Sequence, residues 1–330
     1  MNTMAARASL DTQLADLNAL RSDPTATLSL EKLNKALKSK VSHIAAKAAQ
    51  IIAERGDDET FQPLVPQLVA AFERFMTNPA RTDKGCRAKA AIAEALVQVG
   101  SDEQDLFLRG IRHVQREPTY GGSVDTAVEL RGSCALGLAR MNYPELQLEL
   151  ADLLADPEPG ARAAAARAIA YSGNPAGIAL LRLRVRMGGD DAPVLIEYFT
   201  ALLKLAPKSS LPFVRCFLDD RGTDRAEAAV LALGESRIPE ALDMLTNWYE
   251  KTLQSDLRRT GLLAIAMLRS EKAFGFLLSI IEEGSAAAAR DALAALAMYK
   301  HDEALVQRVR DAAERRDDTI RDAAAEVFRA

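Results

Sequence analysis

The chain repeats a helix-ending signal at a nearly constant interval. Eight stretches of small apolar residues each run into a glycine or a polar turn, and KAAIAEALVQVGSDE and AAARAIAYSGNPA are two of them. Their end points lie at or near Gly56, Gly100, Asn142, Gly173, Ala206, Arg237, Arg269 and Lys300. Successive end points are 44, 42, 31, 33, 31, 32 and 31 residues apart. A period in this range is typical of stacked two-helix repeats, so the sequence predicts a solenoid.

Each repeat is predicted to pair one helix of small residues with one larger helix. The first kind is represented by residues 161–172, which are mostly alanine. The second kind is represented by residues 271–283, where Phe274, Leu277 and Ile281 share one helical face. Alanine has the highest helix propensity and lets neighbouring backbones approach closely. The alanine-rich helices are therefore interpreted as a packing surface.

Composition agrees with an all-α protein. Aromatic residues make up only 5% of the chain and hydrophobic residues 48%, so the core must consist mainly of aliphatic side chains, which favours helix-on-helix packing. The formal net charge of −4 gives no overall field that would attract a nucleic acid. The expected partner is therefore not a nucleic acid.

Two stretches carry the clearest form of the repeat, DPEPGARAAAARAIAYSGN at 156–174 and DDRGTDRAEAAVLALGES at 219–236. A turn rich in Asp or Pro, an early Arg, small residues and a polar stop follow in this order. The pattern resembles the HEAT repeat family, particularly its short-repeat bacterial members, and an armadillo-type solenoid is the alternative subclass. The resemblance implies a right-handed α-solenoid of about eight helix pairs forming one domain over 26–330. Residues 1–25 are predicted to be a tail and a capping helix, because Leu10, Leu14 and Leu17 form an apolar stripe.

An arginine recurs near the start of the second helix of most repeats. The series comprises Arg87, Arg131, Arg162, Arg225, Arg258 and Arg290, with Arg321 in the last helix. These side chains could form an anion-binding ladder. The resemblance to HEAT repeats instead implies an inter-repeat ladder, in which each arginine bonds the aspartate or carbonyls of an adjacent turn, and this is the interpretation we favour.

Two inter-helix turns are longer than their counterparts. They are TNPARTDKG at 77–85 and REPTYGGSVDTAV at 116–128, and we call them together the insertion edge. Insertions at equivalent positions of neighbouring repeats emerge side by side and often form a binding face; the alternative is a pair of solvated loops without a partner. The candidate partner-binding residues are Arg81, Lys84, Thr119, Tyr120, Gly121, Gly122 and Asp125.

Two basic clusters and one tryptophan have plain structural interpretations. The first cluster lies between Lys32 and Lys47, and the second comprises Arg182, Arg184 and Arg186. Both are interpreted as solvated helix faces. Trp248 lies on an apolar helical stripe and is predicted to belong to the core.

The sequence contains no recognisable catalytic, metal or cofactor motif. His43, His113 and His301 lie in different repeats, and the cysteines, Cys86, Cys134 and Cys216, show no CxxC spacing. We therefore expect a chain that is not an enzyme and binds no cofactor or metal. No apolar run is long enough to cross a membrane, and we expect a cytoplasmic location.

The favoured functional hypothesis is a scaffold or adaptor that holds a partner protein or peptide on its concave helices and on the insertion edge. One alternative is a nucleic-acid-binding protein resembling the HEAT-like alkylpurine DNA glycosylases. Another is an accessory subunit similar to the HEAT-containing phycobilin lyases. The identity of the partner and the oligomeric state are not assigned from the sequence.

Overall fold

The computed structural model of the chain describes residues 2–20, 26–55, 59–220 and 223–329. Over these residues the chain is built almost entirely of α-helices, which confirms the predicted all-α class. The helical-repeat fold is confirmed as well. The chain forms two compact units, Met1–Gly177 and Ile178–Ala330. The predicted boundary between a capping segment at 1–25 and a single solenoid domain at 26–330 stays a prediction.

The first unit contains ten helices and one hairpin within its described residues. The helices are α1 (Asn2–Ala19), α2 (Ala26–Leu37), α3 (Ser42–Glu54), α4 (Val65–Met76), α5 (Pro79–Thr82), α6 (Arg87–Gln98), α7 (Gln104–Ile111), α8 (Val128–Arg140), α9 (Leu146–Leu154) and α10 (Pro159–Ser172). The strands are β1 (Arg116–Thr119) and β2 (Gly122–Asp125). Short 3₁₀ turns at Glu59–Leu64 and Lys84–Cys86 precede α4 and α6.

The second unit is helical throughout its described residues, and its first helix begins two residues before the boundary between the units. Its helices are α11 (Ala176–Met187), α12 (Ala192–Leu205), α13 (Pro207–Arg215), α14 (Thr223–Ser236), α15 (Ala241–Lys251), α16 (Ser255–Met267), α17 (Glu271–Glu283), α18 (Ala286–Leu296), α19 (Glu303–Glu314) and α20 (Asp318–Val327). A 3₁₀ turn, Ala297–Tyr299, extends α18.

In both units the second helix of each pair stacks on the second helix of the next. In the first unit this row is α3, α6, α8 and α10, and in the second unit it is α12, α14, α16, α18 and α20. The other helices pack against one side of these rows, as α7 does on α8 and α17 on α18. The described residues thus form nine helix pairs, one more than the period of eight end points indicates, because α19 and α20 follow the last end point.

The predicted helix ends carry a distinct backbone conformation. Five of the eight have a left-handed φ: Gly100 at 71°, Asn142 at 54°, Gly173 at 65°, Arg237 at 53° and Arg269 at 54°. This conformation closes a helix by letting amides just beyond its end bond the last free carbonyls. The recurring Gly or Asn in the sequence is therefore a C-terminal stop. Gly56 lies outside the described residues.

The alanine-rich helices do serve close packing. Ala165, at the centre of α10, is fully buried. A Cβ added to Gly132 on α8 would lie 2.9 Å from the Cβ of Ala164 on α10, which is closer than carbon atoms pack in proteins. Small side chains therefore set the spacing of the row, as the sequence predicts.

The N-terminal helix α1 packs against α3. Leu17 and Leu20 are buried there, and Leu14 is half-buried. The side chain of Leu10 lies outside the described part of the chain. Trp248 is buried on α15 and donates from Nε1 to the carbonyl of Leu218 at 2.8 Å, which confirms its predicted place in the core.

Candidate functional site

The first unit carries a groove of about 850 Å³ across its row of second helices. All four helices of the row, α3, α6, α8 and α10, contribute to its lining. We call it the inner groove. Its size is within the range of about 300 to 1,000 Å³ that is usual for ligand sites, and it spans four successive repeats.

The floor of the inner groove consists of small side chains. Ala46 on α3, Ala90 and Ala91 on α6, Gly132 on α8 and Ala164 on α10 line its middle. The neighbouring Ser133 on α8 also lines the groove and is half-buried. Because none of these side chains extends beyond Cβ except the serine hydroxyl, the space above the row stays open.

Ionisable side chains of both signs surround this floor. His43, Arg87 and Glu129 lie towards the N-terminal ends of their helices, and Glu94 and Arg167 lie towards the C-terminal ends. Lys47 lines the groove between them. The groove therefore offers apolar contact at its centre and charges of both signs at its margins.

The second insertion folds as a β-hairpin. β1 and β2 pair in antiparallel register from Arg116 opposite Asp125 to Thr119 opposite Gly122. Tyr120 and Gly121 form the two-residue turn, where Gly121 has a φ of 93°, a conformation that glycine adopts without strain. The side chain of Tyr120 is fully exposed at the tip.

Hydrogen bonds join the hairpin to the first insertion. Gln115 donates from Nε2 to the carbonyl of Asp83 at 2.8 Å, and the backbone amide of Gly85 donates to Oε1 of Glu117 at 2.6 Å. Glu117 also accepts from Gln115 Nε2 at 2.6 Å and from Thr126 Oγ1 at 3.1 Å. Burial alone would raise the pKa of Glu117. The hydrogen bonds from Gln115, Gly85 and Thr126 have the larger combined effect, so the pKa of Glu117 is lowered overall. The two insertions thus form one connected edge.

A buried ion pair lies beneath this edge. Lys89 Nζ is 3.0 Å from Asp83 Oδ2, and both side chains are fully buried. The carboxylate of Asp83 also accepts from the backbone amides of Ala88 and Lys89 at 2.9 and 3.0 Å. The carboxylate therefore caps the start of α6 and also balances the positive charge of Lys89.

Arg131 connects the hairpin to the next repeat. Its guanidinium is 2.7 Å from Asp125 Oδ2 and 3.0 Å from Asp156 Oδ2, and it donates to the carbonyl of His113 at 2.9 Å. The Arg131 side chain is only 2% exposed. Asp156 belongs to the turn before α10, so this arginine bridges two repeats.

The network corrects the role predicted for Asp125. We expected Asp125 to contact a partner, but its side chain is 7% exposed and is engaged by Arg131 and by the backbone amides of Gln115 and Ala127. Its carboxylate fixes the base of the hairpin. Burial raises its pKa, yet the bonds from Ala127, Gln115 and Arg131 outweigh that effect and lower the pKa overall.

The other predicted ladder arginines behave differently from Arg131. Arg162 bonds the carbonyls of Asp156 and Pro157, Arg225 pairs with Asp220, and Arg258 bonds the carbonyls of Tyr249 and Thr252. These partners lie in the turn that precedes the arginine's own helix or, for Tyr249, in the last turn of the helix before it. A helical side chain leans towards the N-terminus of its helix, so an arginine in the first turn reaches its own turn before it can reach the next repeat.

Arg87 and Arg290 complete the predicted series, and both are exposed. Arg87 lines the inner groove. The recurrence of arginine near the start of the second helices therefore does not give these residues one common role.

The remaining candidate partner-binding residues lie at the surface. Arg81 on α5 and Lys84 in the following turn are exposed, as are the four residues Thr119–Gly122 at the hairpin tip. Since the insertions directly precede α6 and α8, this edge lies at the N-terminal end of the inner groove. The structure brings the two insertions together, and the hairpin was not predicted from the sequence.

The sequence-based hypothesis named the concave helices as a binding surface but assigned no residue to a groove there. It did not single out Lys47, Glu94 or Ser133 as groove residues, nor the buried pair Asp83–Lys89. A partial signal for the groove does exist, because Lys47 and Ser133 both lie nine residues before the end points of their repeats, whereas Glu94 lies six residues before its own. The buried pair has no such signal, since a lysine in an alanine-rich helix ordinarily indicates a solvated face.

Burial disfavours the charged forms of the histidine and thiol groups near the edge. Burial raises the pKa of Cys86 to about 12 and also raises the pKa of Cys134. Burial lowers the pKa of His113. Among the described residues, no cluster of three or more His, Cys, Asp or Glu side chains is arranged to hold a metal ion.

No helix within the described ranges combines the length and apolar character needed to span a membrane. The cytoplasmic location inferred from the sequence stays a prediction.

Comparison with known proteins shows similarity at the level of fold. No protein-family model matches the chain, and no curated protein matches its sequence. Among solved structures, the chain is similar to the complex of CpcE and CpcF of phycocyanin lyase from Nostoc sp. PCC7120, with 16% identity, a TM-score of 0.38, and coverage of 78% of this chain and 93% of that chain. It is also similar to human deoxyhypusine hydroxylase in complex with glycerol, with 17% identity, a TM-score of 0.28, and coverage of 87% and 98%.

Because no family model matches the chain, membership of the HEAT repeat family stays a prediction. The prediction that the chain is not an enzyme is contradicted, because the similar structures are of proteins named as a lyase and a hydroxylase.

Proposed function

We propose that this chain binds a segment of a partner protein in the inner groove, with the insertion edge contacting the same partner beside it. The observation that carries the proposal is the open groove of about 850 Å³ above a floor of small side chains. The binding role corresponds to an adaptor that presents a preformed surface.

The dimensions of the groove suit a polypeptide. Helices in contact are spaced by about 8 to 10 Å, so a row of four spans about 25 to 30 Å. An extended segment of about eight residues, rising about 3.3 Å per residue, covers that distance, as does a helix of about five turns. The alanine and glycine floor lets either backbone approach closely, so that affinity comes from many shallow contacts on a preformed surface.

The charges around the floor favour a protein partner over a nucleic acid. His43, Lys47, Arg87 and Arg167 are accompanied by the acidic Glu94 and Glu129 in the same lining. A phosphate backbone requires a continuous basic track, whereas a polypeptide can offer charges of both signs. Mixed charges at the margin of an interface also set the register of the bound segment.

The insertion edge extends the surface at the N-terminal end of the groove. Tyr120 stands fully exposed at the tip of a hairpin whose base is fixed by buried hydrogen bonds. A rigidly held tyrosine with a free ring is the type of side chain that anchors protein interfaces. We therefore include Tyr120, together with Arg81 and Lys84, in the proposed contact surface.

The proposal predicts that filling the groove abolishes partner capture without unfolding the chain. The Ser133→Trp substitution places an indole in the groove because Ser133 lines it and is only half-buried. We expect the melting temperature to change by only a few degrees, and a protein recovered with the tagged wild-type chain from its native lysate to be lost.

The matched control is Ser279→Trp on α17, since Ser279 is an exposed serine of the second unit. Its capture of the partner should equal that of the wild-type chain. Unchanged capture by Ser133→Trp would remove the inner groove from the site.

Tyr120→Ala should weaken capture by about one to two orders of magnitude if the hairpin contributes an anchor. This substitution leaves the buried base of the hairpin intact.

A further inference from the structure

The second unit carries a basic face that the proposed function does not use. It consists of α11 and α13, which together contain five basic residues and no acidic residue. The whole chain has 46 acidic and 42 basic residues, so the absence of acidic residues from both neighbouring helices is a local segregation of charge.

Two arginines of this face stack on one aromatic ring. The guanidinium carbons of Arg182 and Arg186 lie 4.8 and 5.4 Å from the ring centroid of Phe213 on α13. Arg182 also donates to the carbonyl of Ser209 at 2.6 Å. Stacking on a ring fixes the arginine side chains while leaving their charge unneutralised. The sequence-based interpretation of a solvated helix face therefore does not describe this pair.

Of the other three basic side chains on the two helices, one forms an ion pair and two are exposed. Arg184 pairs with the fully buried side chain of Asp190 at 3.1 Å. Lys208 and Arg215 on α13 are exposed, as is Arg186 on α11. These positive charges have no acidic neighbour on either helix.

Large apolar side chains are also exposed on α11. Leu183 is 60% exposed and Met187 is 68% exposed, and their spacing of four residues places them on one side of α11. Exposed apolar groups bordered by uncompensated charge are characteristic of interaction surfaces rather than of ordinary solvated helices.

We propose that α11 and α13 form a second docking surface, which binds an acidic amphipathic segment of a protein. Leu183 and Met187 would contact the apolar residues of that segment, while Arg186, Lys208 and Arg215 would pair with its carboxylates. Charge complementarity selects this occupant, because an acidic segment supplies the anions that these two helices lack. The surface belongs to the second unit and does not depend on the inner groove.

The test uses the full chain and a fluorescein-labelled peptide of about four helical turns, with leucine at every fourth position and glutamate elsewhere. Binding is followed by fluorescence anisotropy. The double substitution Arg186→Gln with Arg215→Gln should weaken binding about tenfold or more. Leu183→Ser with Met187→Ser should weaken it by a similar factor, because the apolar contact is lost.

A charge-matched control removes two lysines from other helices of the same unit. Lys251 on α15 and Lys272 on α17 are exposed, and the Lys251→Gln with Lys272→Gln variant should bind the peptide as the wild-type chain does. An equal loss in this control would overturn the proposal, since binding would then follow total charge. Absence of peptide binding would overturn it as well. Binding to phosphatidylserine vesicles that the Arg186/Arg215 variant loses, without peptide binding, would identify the face as a membrane surface instead.

Discussion

Replacing Arg131 by methionine is expected to lower the free energy of unfolding by about 3 to 5 kcal/mol, because it strands two carboxylates in a buried site. Arg131 is the cation that faces both Asp125 and Asp156, whose side chains are 7% and 11% exposed. The carbonyl of His113 would also lose its bond from the guanidinium. Urea unfolding followed by circular dichroism at neutral pH measures the change.

The matched control is Arg308→Met, which removes an ion pair whose side chains are 41% and 79% exposed. Exposed pairs contribute about 0 to 1 kcal/mol, so this variant should unfold almost as the wild-type chain does. Equal effects of the two substitutions would contradict the role of Arg131 as a buried bridge.

The loss of stability caused by Arg131→Met is expected to depend on pH. The pKa of Asp125 is lowered in the folded chain, so its contribution to stability is present above the unfolded pKa of about 3.9 and is lost as the pH falls through the folded pKa. The loss of Arg131 removes one of the interactions that lower this pKa. The difference in unfolding free energy between wild type and Arg131→Met should therefore shrink in acid.

Gly234→Ala is expected to destabilise the second unit by about 1 to 3 kcal/mol or more through overpacking. A Cβ at this position of α14 would lie 2.4 Å from the carbonyl oxygen and 2.7 Å from the Cα of Ala264 on α16. Both are backbone atoms, so the clash can be relieved only by moving the helices apart. Fluorescence of Trp248, the single tryptophan, follows unfolding in this unit.

The sign of this effect distinguishes packing from helix propensity. Alanine in a helix is normally about 0.5 to 1 kcal/mol more favourable than glycine. Gly275 on α17 has no atom within 4 Å of an added Cβ, so Gly275→Ala should stabilise the chain. If Gly234→Ala were stabilising too, α14 and α16 would not be in the contact described.

The sequence was sufficient to predict the repeated helices because their signals are local. Residues 271–283 coincide with α17, and the stop signals at Gly100, Asn142 and Gly173 have the left-handed backbone that such stops require. Each of these features depends on a few neighbouring residues, and the period repeats them often enough to be recognised.

The hairpin could not be predicted in the same way. Its strands are only four residues long, and the inward-facing Glu117 is a polar residue held by hydrogen bonds. Alternation of apolar and polar residues, which is the usual strand signal, is therefore missing. The partners of Glu117 lie 32 residues away at Gly85 and nearby at Gln115 and Thr126, so the network depends on tertiary contacts.

The inner groove could be predicted from the sequence only in part. The sequence correctly predicted that the alanine-rich helices pack closely on one another. The same small side chains also leave the groove side of the row open. Which residues line that opening depends on the rotation of each helix about its axis. That rotation is set by the packing of the other helices of the pairs, such as α4 and α7.

Photocrosslinking from position 133 tests the central claim most directly. A benzophenone amino acid replaces Ser133 in the inner groove and, in a matched chain, Ser279 on α17. Irradiation in the native lysate followed by mass spectrometry should identify a protein segment attached at position 133 and absent at position 279. Attachment of the same proteins at both positions, or of none at position 133, would contradict the binding of a partner segment in the groove.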